Sequence, residues 1–183
     1  MMNRNIESAE NLFKQILEDY FISVYDDRKL ISHGIDHHRR VWNYAKEILP
    51  LTGTDKSISD PRFLPNLIMA CYLHDAGMSA DPGIRHGKMG RDLAEEFLHK
   101  NHLDLNDFSD ALEAIEHHDK KDYRGPTATV NLLTLLSVAD DLDAFGNIGI
   151  YRYLEVYMIR DIKPAVAGHM IRDNAARRFE HLR

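Results

Sequence analysis

Three observations predict an all-α fold. Apolar residues recur every three or four positions along the whole chain, the spacing of a helix face turned toward a core. No stretch alternates apolar and polar residues as a half-buried strand does. No repeat, low-complexity tract or Ser/Gly linker divides the 183 residues, so a single domain over 1–183 is expected. Such a length lies within the roughly 100–200 residues that commonly share one core.

The elements follow in order. Residues 8–25 put Leu12, Phe13, Ile16, Leu17, Tyr20, Phe21 and Val24 on one stripe, an amphipathic helix. Residues 35–50 repeat the pattern with Val41, Tyr44, Ala45, Ile48 and Leu49, have His37 in the first turns, and close at Pro50-Leu-Thr-Gly53. From Phe63 to Ala76 nearly every residue is apolar, which suits a helix buried on most sides, with His74 and Asp75 at its C-terminal end before Gly77. Leu93, Ala94, Phe97 and Leu98 mark a helix over 87–101, entered through Arg85-His86-Gly87. Two more are expected at 109–118, through Ala111, Leu112, Ala114 and Ile115, and at 127–144, through Val130, Leu132, Leu133, Leu135, Leu136, Val138 and Ala139. The remainder from Ile148 reads as two helices separated near Lys163-Pro164, and the end at Arg183, inside a helical pattern without a cap, reads as a cut.

Composition narrows the function. A hydrophobic fraction of 44% with 28% charged residues is that of a soluble globular protein, and no apolar run approaches the ~20 residues of a membrane span. The polar N-terminus has no secretory signal, so a cytoplasmic protein is expected. The lone Cys71 has no intramolecular disulfide partner and reads as core. A net charge of −6 speaks against a large nucleic-acid surface but leaves room for a small anionic ligand, which needs only a local cationic cluster. Gly146 and Gly149 form no phosphate-binding fingerprint. Of the 11 histidines, His33, His38, His99, His102, His169 and His181 read as surface residues.

A polar pair such as His74-Asp75 at the end of an apolar helix is costly to bury unless satisfied. A divalent cation does so, and so does an ordinary hydrogen bond from the imidazole to a nearby carbonyl. Asp140 lies late on another apolar helix, where an ionised carboxylate needs a compensating charge. Asp143 shares its face and reads as support behind it, whereas Asp141 points about 100° away and reads as solvated. Arg40, three residues after His37, leans over the same site or pairs with Asp36. Further cationic candidates are Lys88 and, in the loop after His118, Lys120, Lys121 and Arg124.

His37-x-x-Arg-Val, then His74-Asp75, then Asp140 resembles the HD-domain superfamily of metal-dependent phosphohydrolases, an all-α helical bundle. The segment Asp140-Asp-Leu-Asp-Ala-Phe-Gly-Asn-Ile-Gly-Ile150 is most similar to a bacterial subgroup of HD hydrolases and nucleotide pyrophosphatases with an Asp-x-Leu-Asp-Ala-x-Gly motif. The match covers about His33 to Arg152, leaving 153–183 as C-terminal helices. The resemblance implies that His37, His74, Asp75 and Asp140 hold a first divalent ion (Mn, Mg, Fe, Ni or Zn). It implies that His86 and His118 bind phosphate or a second metal bridged by Asp75, with His117 the alternative to His118. Asp75, His86, His118 and Arg40 are then the catalytic candidates. The Lys and Asn that often follow His-Asp in that subgroup are replaced here by Gly77-Met-Ser-Ala-Asp-Pro-Gly83. The expected activity is hydrolysis of a small phosphorylated metabolite, foremost a nucleotide or nucleoside triphosphate, by a metal-activated water, and a homodimer is compatible with it. The competing readings are a mixed-valence di-iron oxygenase on the same ligands and a non-catalytic nucleotide-binding HD module.

Overall fold

The computed structural model describes residues 2–25, 30–52, 59–81, 83–120 and 131–182, and among these every regular element is a helix. Helix α1 (Met2–Ala9), a π turn (Glu10–Lys14) and α2 (Gln15–Val24) run on into one another, followed by α3 (Ile35–Ile48) and α4 (Phe63–Leu73). Then come α5 (His86–Lys100), α6 (Ser109–His117), α7 (Leu132–Asp143), α8 (Gly146–Ile159) and α9 (Pro164–His181). All-α is therefore the observed class.

The apolar character of α4 puts it at the centre. Every residue of it except Pro65 is buried. It packs against α1, α2, α3, α6 and α7, so its C-terminus is delivered into the interior rather than to the surface. Trp42, Tyr72, Phe21 and Phe97 are the largest fully buried side chains of the core around it. Burying such groups contributes about 1.5–3 kcal/mol each. Glu18, though charged, joins this interior because Arg39 and the Tyr72 hydroxyl (2.9 Å) donate to its carboxylate.

Several boundaries differ from expectation. The first helix begins at Met2 rather than near residue 8, because only Ile6 carries the apolar period through its polar first turns. Its π turn places Glu10 where the Trp42 indole (2.7 Å) and Lys46 ammonium (2.8 Å) of α3 both donate to it. Helix α3 tightens into a 3₁₀ turn over Leu49–Thr52. Helix α4 stops at Leu73 rather than Ala76, with His74 and Asp75 in the turn that follows. Helix α7 starts at Leu132, where the Asn131 side chain caps the Thr134 N–H at 2.8 Å, and the expected residues 127–130 lie outside the described ones.

Glycines let backbones meet where the site is assembled. A Cβ on Gly77 would stand 2.1 Å from the His86 carbonyl oxygen and 2.5 Å from the Gly90 nitrogen, and one on Gly87 2.6 Å from the Glu116 carbonyl oxygen. The 3₁₀ turn Ala76–Ser79, the start of α5 and the end of α6 are thus in main-chain contact, which fixes Asp75, His86 and His118 relative to one another. Gly77→Ala is expected to destabilise the fold by ~1–3 kcal/mol or more through overpacking. Denaturant unfolding measures it, and parental stability in that variant would contradict the contact.

Candidate metal centre

Helix ends and turns leave carbonyls without backbone partners, and imidazoles satisfy three of them here. His74 donates its Nδ1 proton to the Cys71 carbonyl (3.1 Å), His118 to that of Ile115 (2.7 Å) and His86 to that of Gly83 (2.6 Å). In each case the acceptor lies three residues earlier. His37 differs, donating Nδ1–H to the Asp143 carboxylate at 2.7 Å. A carbonyl or carboxylate only accepts, so Nδ1 carries a proton, and in the neutral imidazole Nε2 is left as a lone pair.

All four Nε2 atoms point into one buried space. His37, His74, Asp75 and Asp140 bring one donor atom each within 4.8 Å of one another, and Asp75, His86 and His118 form a second such group. The Nε2 atoms of His37 and His74 are 3.2 Å apart, as are those of His86 and His118. Asp75 joins the groups: Oδ2 lies 3.5 Å from both His37 and His74, while Oδ1 lies 3.1 Å from His118 and 3.7 Å from His86. Facing lone pairs repel unless a cation or proton lies between them. Two nitrogens on one divalent ion at ~2.0–2.1 Å stand roughly 3.0–3.4 Å apart, so the donor set fits a divalent cation.

In the protein alone, protons and arginines balance the charge. Burial pushes His74 down to about 4, so it is neutral. Burial also disfavours charge on His86, but its hydrogen bond with Asp119 (3.0 Å) and the charge of Asp75 overcome this and push it up to about 9. Burial would raise Asp75, yet His74, protonated at the low pH where a carboxylate titrates, and hydrogen bonds with His118 and His37 hold it well below the ordinary carboxylate range.

A model of the HD-CE family matches residues 17–182. The chain belongs to the HD-CE family. No curated protein and no solved structure matches it. In this HD-CE chain the motif residues His37, His74, Asp75 and Asp140 lie together, although they come from α3, the turn after α4, and α7. His118 joins the second group, whereas His117 is partly exposed, with its Nδ1 3.1 Å from the Lys120 ammonium. Arg40 turns to Asp143, at 2.6 and 3.0 Å, and Asp36 pairs with Arg39 instead. Lys88 and Lys120 are exposed, and Lys121 and Arg124 lie outside the described residues.

Two expectations are corrected. Asp141 is fully buried, not solvated, and Arg178 of α9 reaches back to donate to it. His33 and His38 are buried, not on the surface: His38 packs on Phe21 and donates to the Cys71 carbonyl at 3.1 Å, and burial holds it neutral. His99, His102 and His169 are exposed as expected.

The largest omission is the pair of arginines. Arg152 of α8 reaches Asp140 (3.0 Å), Asp143 (3.2 Å) and the His37 Nε2 (3.3 Å), and Arg178 of α9 lies 3.5 Å from Asp140. Both border a cavity of about 410 Å³, a size suited to a small ligand, whose floor includes Asp75, His118 and Asp140. Arg160 and Arg177 line it farther out, with Tyr153 and Tyr157 between. The available signal was the demand for a counter-charge at Asp140, which does not say which of many arginines meets it.

Asp143 lies at about 2 against an ordinary 3.8, since burial, which raises it, is outweighed by hydrogen bonds from His37 and Arg40 and the charge of Arg152. A depressed folded-state value stabilises the fold fully above the unfolded value near 4, and that share is lost as pH falls toward 2. One unit is worth about 1.36 kcal/mol, so the share is ~2 kcal/mol. Asp143→Asn is expected to remove at least that much at neutral pH and to flatten the acid-unfolding profile between about pH 4 and 2. An unchanged profile, measured by urea unfolding across that range, would refute it.

Proposed function

We propose that this protein is a metal-dependent phosphohydrolase acting on a small phosphorylated metabolite, with nucleotides the foremost class. The observation that carries the reading is the Asp75 carboxylate, shared between two imidazole groups on the floor of a cavity whose other wall holds four arginines. His37, His74, Asp75 and Asp140 would hold one divalent ion, and Asp75, His86 and His118 a second. Such an ion supplies Lewis acidity, activating water near neutral pH and polarising a phosphoryl oxygen.

The chain supplies the rest. Asp143 fixes the His37 ring, and Arg40 and Arg152 in turn fix Asp143. Arg160 and Arg177 face the cavity as donors suited to the oxygens of a bound phosphate, and Arg178 adds charge close to Asp140. Asp119, half-exposed at the cavity rim, stands 3.0 Å from the His86 Nε2, placing a carboxylate where a proton can be passed on. The arginine wall favours a phosphorylated substrate over oxygen chemistry, which requires no anion-binding surface.

The purified protein is expected to carry at least one divalent transition metal, and chelation is expected to abolish phosphate release from its substrates. His74→Ala should lose the metal. His86→Ala or His118→Ala should keep the first ion and lower kcat/KM by roughly 10²-fold, the scale of losing one acid–base or electrostatic group. Elemental analysis with a phosphate-release screen over nucleotides decides. Stoichiometric metal in both His74→Ala and Asp140→Ala would move the site elsewhere, and turnover that survives complete metal removal would end the mechanism.

Arg177→Ala is expected to raise KM by roughly tenfold with a smaller change in kcat if it contacts the ground-state phosphate. Steady-state kinetics on the best substrate of the screen checks this, and an unchanged KM would remove Arg177 from the binding wall.

A further inference from the structure

His33 stands among the cavity-lining residues with only 6% of its surface exposed, and nothing in the reading above uses it. Its ring is held by a relay from α8. Glu155 accepts from the backbone N–H of Ile31 (2.9 Å), the N–H of Ser32 (2.8 Å) and the Ser32 hydroxyl. A serine hydroxyl has one proton, and here it goes to the carboxylate. Toward His33 Nδ1, at 2.9 Å, the same oxygen therefore accepts, so Nδ1 carries the imidazole proton and Nε2 is a bare acceptor. Among the described residues no donor meets that nitrogen.

The setting gives the acceptor its meaning. The cationic wall of the cavity offers N–H groups, which recognise oxygens of a phosphate, and the carboxylates on its floor are engaged by arginine and imidazole. His33 belongs to neither metal-capable group, and it adds a neutral acceptor that a phosphate oxygen, itself an acceptor, does not satisfy. A ligand filling the space satisfies it with a donor of its own.

We propose that His33 reads a hydroxyl group on the substrate, so that the preferred substrate is a hydroxyl-bearing sugar phosphate or nucleotide rather than its deoxygenated analogue. This rests on the phosphohydrolase reading and deepens it. The Glu155–Ser32–His33 relay is the device that keeps the acceptor facing the ligand. A buried acceptor left unpaired by the deoxygenated analogue costs enough to discriminate by roughly tenfold or more.

Two measurements test it. Long-range ¹H–¹⁵N spectra of the imidazoles are expected to show His33 as the Nδ1–H tautomer, with Glu155→Gln losing that fixed form. Kinetics on matched pairs, such as ribose 5-phosphate with 2-deoxyribose 5-phosphate and nucleotides with their 2′- and 3′-deoxy analogues, are expected to show at least one pair favouring the hydroxylated member by roughly tenfold in kcat/KM. His33→Ala should collapse that ratio and His33→Gln, which keeps an acceptor, should retain part of it. If His33→Ala fails to fold, the ratio in His33→Gln and Glu155→Gln still decides. Equal kcat/KM within every pair in the parent protein, or equal loss on both members in the variants, overturns the hydroxyl role while leaving the hydrolase standing. No phosphate release from any compound, in metal-loaded protein with the Nδ1–H tautomer observed, removes the hydrolase reading and this inference together.

Discussion

Four carboxylates, Asp75, Asp140, Asp141 and Asp143, are buried at one end of this bundle, and the arrangement of the rest answers that concentration of charge. A single unpaired carboxylate in such a place would be intolerable, and a pair repels itself. Arg40 comes from α3, Arg152 from α8 and Arg178 from α9 to meet them, and imidazoles surround Asp75. The C-terminal hairpin is therefore attached to α7 chiefly through ion pairs. Its apolar side chains Ile150, Tyr151, Met158 and Phe179 remain exposed, whereas α4 is apolar and enclosed on nearly all sides.

The histidines owe their aim to a smaller constraint. An imidazole that bonds the carbonyl three residues back has its ring orientation set by main chain, and three of the four facing imidazoles use that device. The aim of the Nε2 atoms of His74 and His118 is thus inherited from helix C-termini, where free carbonyls are at hand, and that of His86 from the turn that leads into α5. His37, in the first turn of α3, takes the Asp143 carboxylate of α7 in place of a carbonyl.

Much of the fold was legible because burial writes itself as periodicity, and α4, buried on nearly all sides, was plain from its nearly continuous apolar run. His37, His74, Asp75 and Asp140 could be named because costly residues stood in apolar segments and in the order of a known family. Asp141 shows where this reasoning fails. A phase difference of about 100° separates faces only if one face meets solvent, and α9, whose final turns return to α7 across 37 residues of sequence, removes that condition. His33 escaped for a related reason, since its burial depends on Glu155 of α8, 123 residues from Ser32. Helical period reports on a segment's own faces and is silent about which distant segment covers them.

The floor of the cavity and its arginine-bearing wall are built differently. The metal-capable side chains leave from segments locked by apolar packing and by main-chain contact at Gly77 and Gly87, so altering one disturbs the others. The hairpin carrying Arg160, Arg177 and Glu155 is tied to the bundle by Arg152, Glu155 and Arg178, with Val156 packed against the core. The two sides of the cavity are thereby held by different forces, apolar packing and main-chain contact beneath the metal-capable groups and ion pairs beneath the outer arginines.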